Sequence, residues 1–321
     1  MPLVKKRGLF DRYDGWRVRN VDTVFRIIPF VLRSRVDAQN FFDEDIPIDG
    51  LETFVDAHRE EIPGLTVMHI FMAALVRVIS QRPYLNRFVM WNKLYTRTHI
   101  SISIAIKRSL SDKGEETMIK PIFGERDTLA DIVRRTQEEL EANKPAEVKN
   151  NSDNASRLIG MFPSPVVRFL IGMLRHTDNV GLMPKLIHKA SPWHCSVFFT
   201  NVGSLGIGPI YHHLYEFGNC TIFVAMGRKQ LRHVVQPDGT TRASRSIGLK
   251  FVTDERVCDG HYYAVSMRLL RRLLLHPDLL LLPPSKVIVD DGVNGLAYVD
   301  DGTHGDMDAT ASGTNGSDNA D

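Results

Sequence analysis

The chain is poor in the features that place a protein quickly. It has three cysteines in 321 residues, Cys195, Cys220 and Cys258. They stand far apart with no CxxC spacing, which excludes a disulfide framework and a zinc knuckle. A reduced, cytoplasmic setting fits that usage best. The start, MPLVKKRGLFDRYDGW, has no apolar core of a signal peptide, so none is expected. The longest apolar stretches, such as Phe71–Val76, fall well short of the roughly 18–20 residues that span a bilayer. No internal repeat is visible. There is no Lys or Arg after Lys286.

That last absence divides the charge. The net +2 is the difference between +10 on residues 1–286 and −8 on the eight aspartates that follow. A body this basic suits an anionic ligand such as a nucleotide or CoA, and it equally reads as a solvated basic face. Otherwise the composition is ordinary: 43% apolar and 24% charged residues describe a soluble globular protein with enough chain to bury a sizeable core.

The first 50 residues lack a strong period, and RIIPFVLRSR (Arg26–Arg35) reads as an irregular strand or arm around its proline. A buried helix is expected over Leu65–Gln81, with Thr66 as N-cap and Arg82-Pro83 as the stop. His99–Ile106 alternates like a half-buried strand. Leu129–Asn143 reads as a surface helix opened by Thr128 and Asp131, a variant of the capping box. Lys144–Ser156 reads as a polar loop, and Arg157–His176 as two short helices around MFPSP. From Trp193 the chain turns to short β-rich runs, with Asp238–Thr241 as a hairpin turn. A last helix is expected over His261–Leu275. The arrangement is α+β or mixed α/β with a large sheet, in one domain. An N-terminal arm over residues 1–20 precedes the domain at 21–286, and an acidic, largely disordered tail over 287–321 follows it.

The sharpest local feature is TDERVCDGHYYA (Thr253–Ala264), between an apolar strand and an apolar helix. It resembles the signature of the acyltransferase catalytic domains of 2-oxo-acid dehydrogenase complexes, which share a fold with chloramphenicol acetyltransferase. That signature is a His, three residues, then Asp-Gly. RPYLN (Arg82–Asn86), ASPW (Ala190–Trp193) and FFTNVGSLGIGP (Phe198–Pro209) resemble further family segments in the same order. The likeness spans roughly residues 20–285, with an unusual stretch at about 145–190. It implies a CoA-dependent acyltransferase fold and a homotrimer whose active site is a channel between subunits. CoA or acyl-CoA is the implied co-substrate. No metal, membrane or nucleic acid is expected.

The departure lies at the centre. Where the family has its catalytic histidine, this chain has Glu255. That imidazole takes the proton of a thiol, which then attacks an acyl carbonyl. Against a thiol pKa of ~8.5, transfer to imidazole is uphill by ~2 units and to an ordinary carboxylate by ~4. The difference is on the order of 3 kcal/mol, or a hundredfold in rate. Burial in an apolar channel narrows the gap. Two readings of Glu255 therefore stand: a general base, or a turn residue paired with a neighbouring Arg. Asp259 suits a cap and orienting role at the helix start, and Gly260 permits the tight turn. By the strand alignment Thr200 matches the hydroxyl that the family aims at the tetrahedral oxyanion, with Ser196, on the same strand face, as the alternative. His261 is a weaker substitute base.

Other attractive motifs fail. Adjacent His212 and His213 project in different directions with no carboxylate to complete a metal site. GSLGIG (Gly203–Gly208) lacks the Gly-Lys-Ser/Thr ending of a phosphate loop. Arg268–Pro284 reads as a docked terminal helix rather than a membrane-surface one. The chain carries no lipoyl-bearing or subunit-binding module, so a conventional complex scaffold is not expected. The two functions left are a CoA-dependent acyltransferase with Glu255, Asp259 and Thr200 at its site, and a catalytically inactive trimer of the same fold that binds or regulates.

Overall fold

The computed structural model describes residue 8 and residues 10–107, 116–143, 161–235 and 238–300. The elements in chain order are β1 (Gly15–Arg17), α1 (Thr23–Val31), β2 (Gln39–Pro47), α2 (Asp49–His58), α3 (Val67–Gln81), β3 (Arg87–Met90), β4 (Lys93–Arg97), β5 (Ile100–Lys107), β6 (Glu116–Ile119) and β7 (Ile122–Phe123). There follow α4 (Leu129–Ala142), α5 (Ser164–Asn179), α6 (Lys185–Ala190), β8 (Val197–Asn201), β9 (Ile222–Val235), β10 (Thr241–Asp254), α7 (Gly260–Leu275), β11 (Lys286–Asp290) and β12 (Leu296–Asp300).

A mixed sheet ordered β2-β10-β9-β8-β5-β6, with β7 also on β5, organises the molecule. β8 runs parallel to both β5 and β9, and the other pairs are antiparallel. Alternation along β8 separates two cores. Val197 and Phe199 face the main core, where α3 is buried nearly all round, while Phe198 faces a smaller cluster with Phe223, Val252 and the cysteines Cys195 and Cys220. The α+β architecture with one large mixed sheet is as expected.

Local chemistry sets the helix ends. Thr128 and Asp131 form a reciprocal capping box at α4, and Thr66 makes a similar one with His69 at α3. The stretch Arg26–Arg35, expected as an irregular strand or arm, is instead mostly the helix α1. Asp22 caps it at Val24 N, and Pro29 lies within its last turn. There the missing N–H interrupts only one bond, and Leu32 N still donates to Ile28 O at 2.8 Å. The two short helices expected around MFPSP are one helix over the described residues, α5; the polar loop at 144–156 lies outside them. The β-rich runs on either side of Asp238–Thr241 merge into two 14-residue strands.

The packed unit is also longer at both ends than composition suggests. Residues 287–300, assigned to the acidic tail, lie in the hairpin β11–β12, in which Val287 is buried and Asp290 pairs with Arg87 at 2.6 Å. Within the expected N-terminal arm, Arg12 and Asp14 are buried. The tail beyond Asp300 lies outside the described residues.

Candidate functional site

The strand-to-helix corner between β10 and α7 is built by its aspartates. Asp254, fully buried, takes a two-pronged contact from Arg256, Nε to Oδ1 at 2.8 Å and Nη2 to Oδ2 at 2.7 Å. Its carbonyl accepts from Tyr263 Oη at 2.9 Å. Asp259 caps α7, accepting from Tyr262 N at 2.7 Å, in an extended conformation. Against the opening of the corner lies RPYLN: Tyr84 and Tyr262 stack at 4.9 Å, with Arg82 3.9 Å from the Tyr262 ring centroid and Arg87 3.4 Å from that of Tyr84. Two motifs 170 residues apart in sequence thus form one structural knot.

Glu255 stands apart from this. Its backbone N donates to Ala38 O at 2.9 Å, but its half-buried carboxylate makes no ion pair or side-chain hydrogen bond among the described residues. The neighbouring arginine is engaged elsewhere: Arg256 serves Asp254 and Leu32 O. Arg35 serves the carbonyls of Tyr215, Glu216 and Val89. Among the described residues Glu255 forms no pair with an arginine: Arg256 is taken up by Asp254, and Arg35 reaches backbone carbonyls. His261 is exposed in the first turn of α7.

Thr200 lies in the middle of the sheet, opposite Ala105 on β5 and Ala225 on β9. The small residues on either side leave its half-exposed hydroxyl open on the face away from α3. Ser196 is different: it is fully buried, and its Oγ accepts from Ser101 N at 3.1 Å, tying β8 to β5. Ala225 pairs with Lys250, five residues before Glu255. At ~3.3 Å per residue, Glu255 is about 16 Å along the strands from Thr200 and two strands across. One chain does not bring the two together. A cavity of about 340 Å³ between β2 and α7 is lined by Phe42, Tyr263 and Met267, and by neither candidate.

The motif GSLGIG serves packing. A Cβ on Gly203 would sit 2.4 Å from Gly227 O, and one on Gly227 would sit 2.3 Å from Pro209. His212 stacks on Phe223 at 4.4 Å. Among the described residues no three His, Cys, Asp or Glu side chains are grouped to hold a metal. Leu270, Leu273 and Leu274 of α7 are buried, as a docked terminal helix requires.

Sequence reasoning missed the largest polar cluster. Arg12 donates to Asp14 at 2.8 Å and to Asp178 at 2.7 Å; His188 meets Asp14 at 3.1 Å, and Asn219 donates to it at 2.7 Å. His194 sits between Asp178 (Nε2, 2.9 Å) and the Ser191 hydroxyl (Nδ1, 2.7 Å). This arrangement assigns the neutral ring a proton on Nε2. Burial pushes the His194 pKa down to about 4 against the pull of Asp178. Burial alone would raise the Asp14 carboxyl, but the His188 hydrogen bond and the Arg12 charge hold it far below the carboxylate range. The Ser–His–Asp string has the order of a hydrolytic triad, yet His194 is 0% exposed and Ser191 7%. It is a clamp that fastens α5 and α6 to the N-terminal segment.

No family model and no curated protein matches the sequence. Solved structures do match. A probable dihydrolipoamide acetyltransferase from Listeria monocytogenes aligns at 14% identity and TM-score 0.51, over 80% of this chain and 94% of that one. Chloramphenicol acetyltransferase aligns at 9% identity and TM-score 0.51, over 81% and 99%. The cubic core of the pyruvate dehydrogenase multienzyme complex aligns at 14% identity and TM-score 0.50, over 81% and 89%. The fold is that of chloramphenicol acetyltransferase. At these identities the likeness is one of fold alone. The corner and the RPYLN turn pack together, while the clamp had no local sequence signal: its residues are scattered over more than 200 positions.

Proposed function

We propose that this chain is a CoA-dependent acyltransferase that works as a homotrimer, with Glu255 of one copy and Thr200 of its neighbour at a shared site. The observation that carries the reading is the uncommitted Glu255 carboxylate at a corner where Asp254 is held by Arg256 and Asp259 caps α7. In this reading Glu255 accepts the proton of an acceptor thiol, and the thiolate adds to the thioester carbonyl of acyl-CoA. Collapse of the adduct breaks the C–S bond to CoA, whose thiolate takes the proton back from Glu255. The Thr200 hydroxyl donates to the oxyanion that forms, where charge develops and a fixed donor has most effect. Asp259 holds the first turn of α7 and so orients the corner. CoA supplies the thioester chemistry. The separation of Glu255 from Thr200 in one chain supports a site assembled between copies.

The test is thiol release from a panel of short acyl-CoAs with thiol, hydroxyl and amine acceptors. Turnover that falls about a hundredfold in Thr200→Val, and to background in Glu255→Gln, supports the reading. Mixing the two inactive variants then regains activity, because some mixed trimers hold one intact site. A single-chain site would regain none.

The carboxylate favours a second reading, in which the protein is an inactive trimer that binds acyl-CoA or a protein partner. Glu is the weaker base by ~2 units relative to imidazole. Acyl-CoA binding without turnover, with a trace of transfer in Glu255→His, would select it.

A further inference from the structure

A hollow of about 490 Å³ lies between α1, the segment after β1 and the turn from β3 to β4. Arg17, Arg19, Arg26 and Lys93 line it, and no carboxylate does. None of the four has an ion pair among the described residues. The two acids nearest in sequence both accept from backbone N–H groups. Asp11 accepts from Gly8 N and Arg17 N, and Asp22 caps α1. Four like charges around one hollow repel one another, and no acidic side chain lines the hollow itself.

Apart from Asn92, the rest of the lining is apolar and partly aromatic. Phe25 forms part of the wall, and the Arg17 guanidinium lies 5.7 Å from the ring of Phe10 at the rim. Lys93 is held over the ring of Trp91 at 5.5 Å. Trp91 and Asn92 both adopt the left-handed conformation, with φ of 46° and 58°. That conformation is rare for a tryptophan, and here it forms the tight turn that leads directly into Lys93.

We propose that this hollow binds a multiply charged, phosphate-bearing ligand with an apolar or aromatic portion. The cations meet the phosphate oxygens in charge-assisted hydrogen bonds, and the apolar wall meets the remainder. A nucleoside diphosphate and an anionic lipid headgroup both present this chemistry. The inference does not depend on the acyltransferase reading, since no lining residue belongs to the corner or to Thr200.

The experiment is calorimetric titration of the full chain with ADP, pyrophosphate and adenosine, beside co-sedimentation with vesicles containing 30% or no phosphatidylglycerol. The double variant Arg26→Glu/Lys93→Glu is compared with Arg134→Glu, which changes a cation on α4. Expected is binding of either ADP and pyrophosphate or the anionic vesicles, weakened by added salt and by about tenfold or more in the double variant. Arg134→Glu and Glu255→Gln leave it unchanged. The probe that binds identifies the source of the phosphate. Should the double variant not fold, Arg26→Gln gives the same comparison with a smaller loss. Binding of neither class, or binding that survives the double variant, overturns the proposal.

Discussion

The clamp around Asp14 and Asp178 and the corner around Glu255 both gather charged residues, and they use them in opposite ways. Asp14 is buried, and Arg12, His188 and Asn219 all serve its two oxygens. Asp178 has Arg12 and His194. Glu255 has none of this, although it sits beside two arginines in sequence or space. Where every lone pair is matched, the group holds structure and has no freedom left for a reaction. A carboxylate left half-open among satisfied neighbours costs the fold little and remains free to take a proton. The same contrast separates Ser196, tied to Ser101, from Thr200, whose hydroxyl is flanked only by alanines.

If the clamp is structural, its loss has the largest effect on stability. Asp14→Ala removes the acceptor of three buried donors and leaves Arg12 short of a partner. Breaking a buried pair in this way costs about 3–5 kcal/mol. Denaturant unfolding measures it, and a loss under 1 kcal/mol would remove the clamp from the comparison. Because the cluster ties α5 and α6 to residues 12–14, protease cleavage within those helices should rise in the same variant.

The next effect is one of pH. The folded His194 pKa of about 4 lies below its ordinary value near 6.5, so the unfolded chain binds the extra proton between these limits. Stability is therefore fully present above about pH 6.5 and declines as the pH falls toward 4, by on the order of 3 kcal/mol over the window. The shift of His188 is in the same direction. Melting temperatures from pH 7.5 to 5 measure the trend, and His194→Phe should flatten it. A curve that stays level in the native protein would sink this account.

Much of the frame is legible in the sequence because it follows local rules. Thr128 with Asp131 announces α4, Asp259-Gly260 announces α7, alternation announces β5, and a β-rich run announces β8. Pro29 hides α1, since a proline in the last turn of a helix looks the same in sequence as one that breaks it. Acidic composition hides β11–β12, although KVIVD and LAYVD each carry a β-rich run. The corner is visible through its spacing. The clamp is not, because Arg12, Asp178 and His194 meet only through the tertiary fold. What the sequence cannot distinguish at the corner is which acid the arginines choose, and geometry gives Arg256 to Asp254.

Within the corner itself, Asp259 should matter more to stability than Glu255 does. Asp259→Ala removes one hydrogen bond to Tyr262 N, and loss of an N-cap costs about 1 kcal/mol. Asp259→Asn should recover most of this, as the amide oxygen still caps. A loss of several kcal/mol would mean that Asp259 belongs to the buried network after all.

The smallest expected effect on stability is the most discriminating. Glu255→Gln keeps the shape of the side chain and breaks no side-chain hydrogen bond or ion pair among the described residues. Its cost should stay within about 0.5 kcal/mol, as for a surface substitution away from packed features. If unfolding curves of the variant and the parent coincide while acyl transfer disappears, the carboxylate serves chemistry alone. A cost near that of Asp14→Ala would instead mean that Glu255 has a structural partner, one supplied by a neighbouring copy. The corner and the clamp would then be the same kind of device, and the assignment of a base to Glu255 would lose its footing.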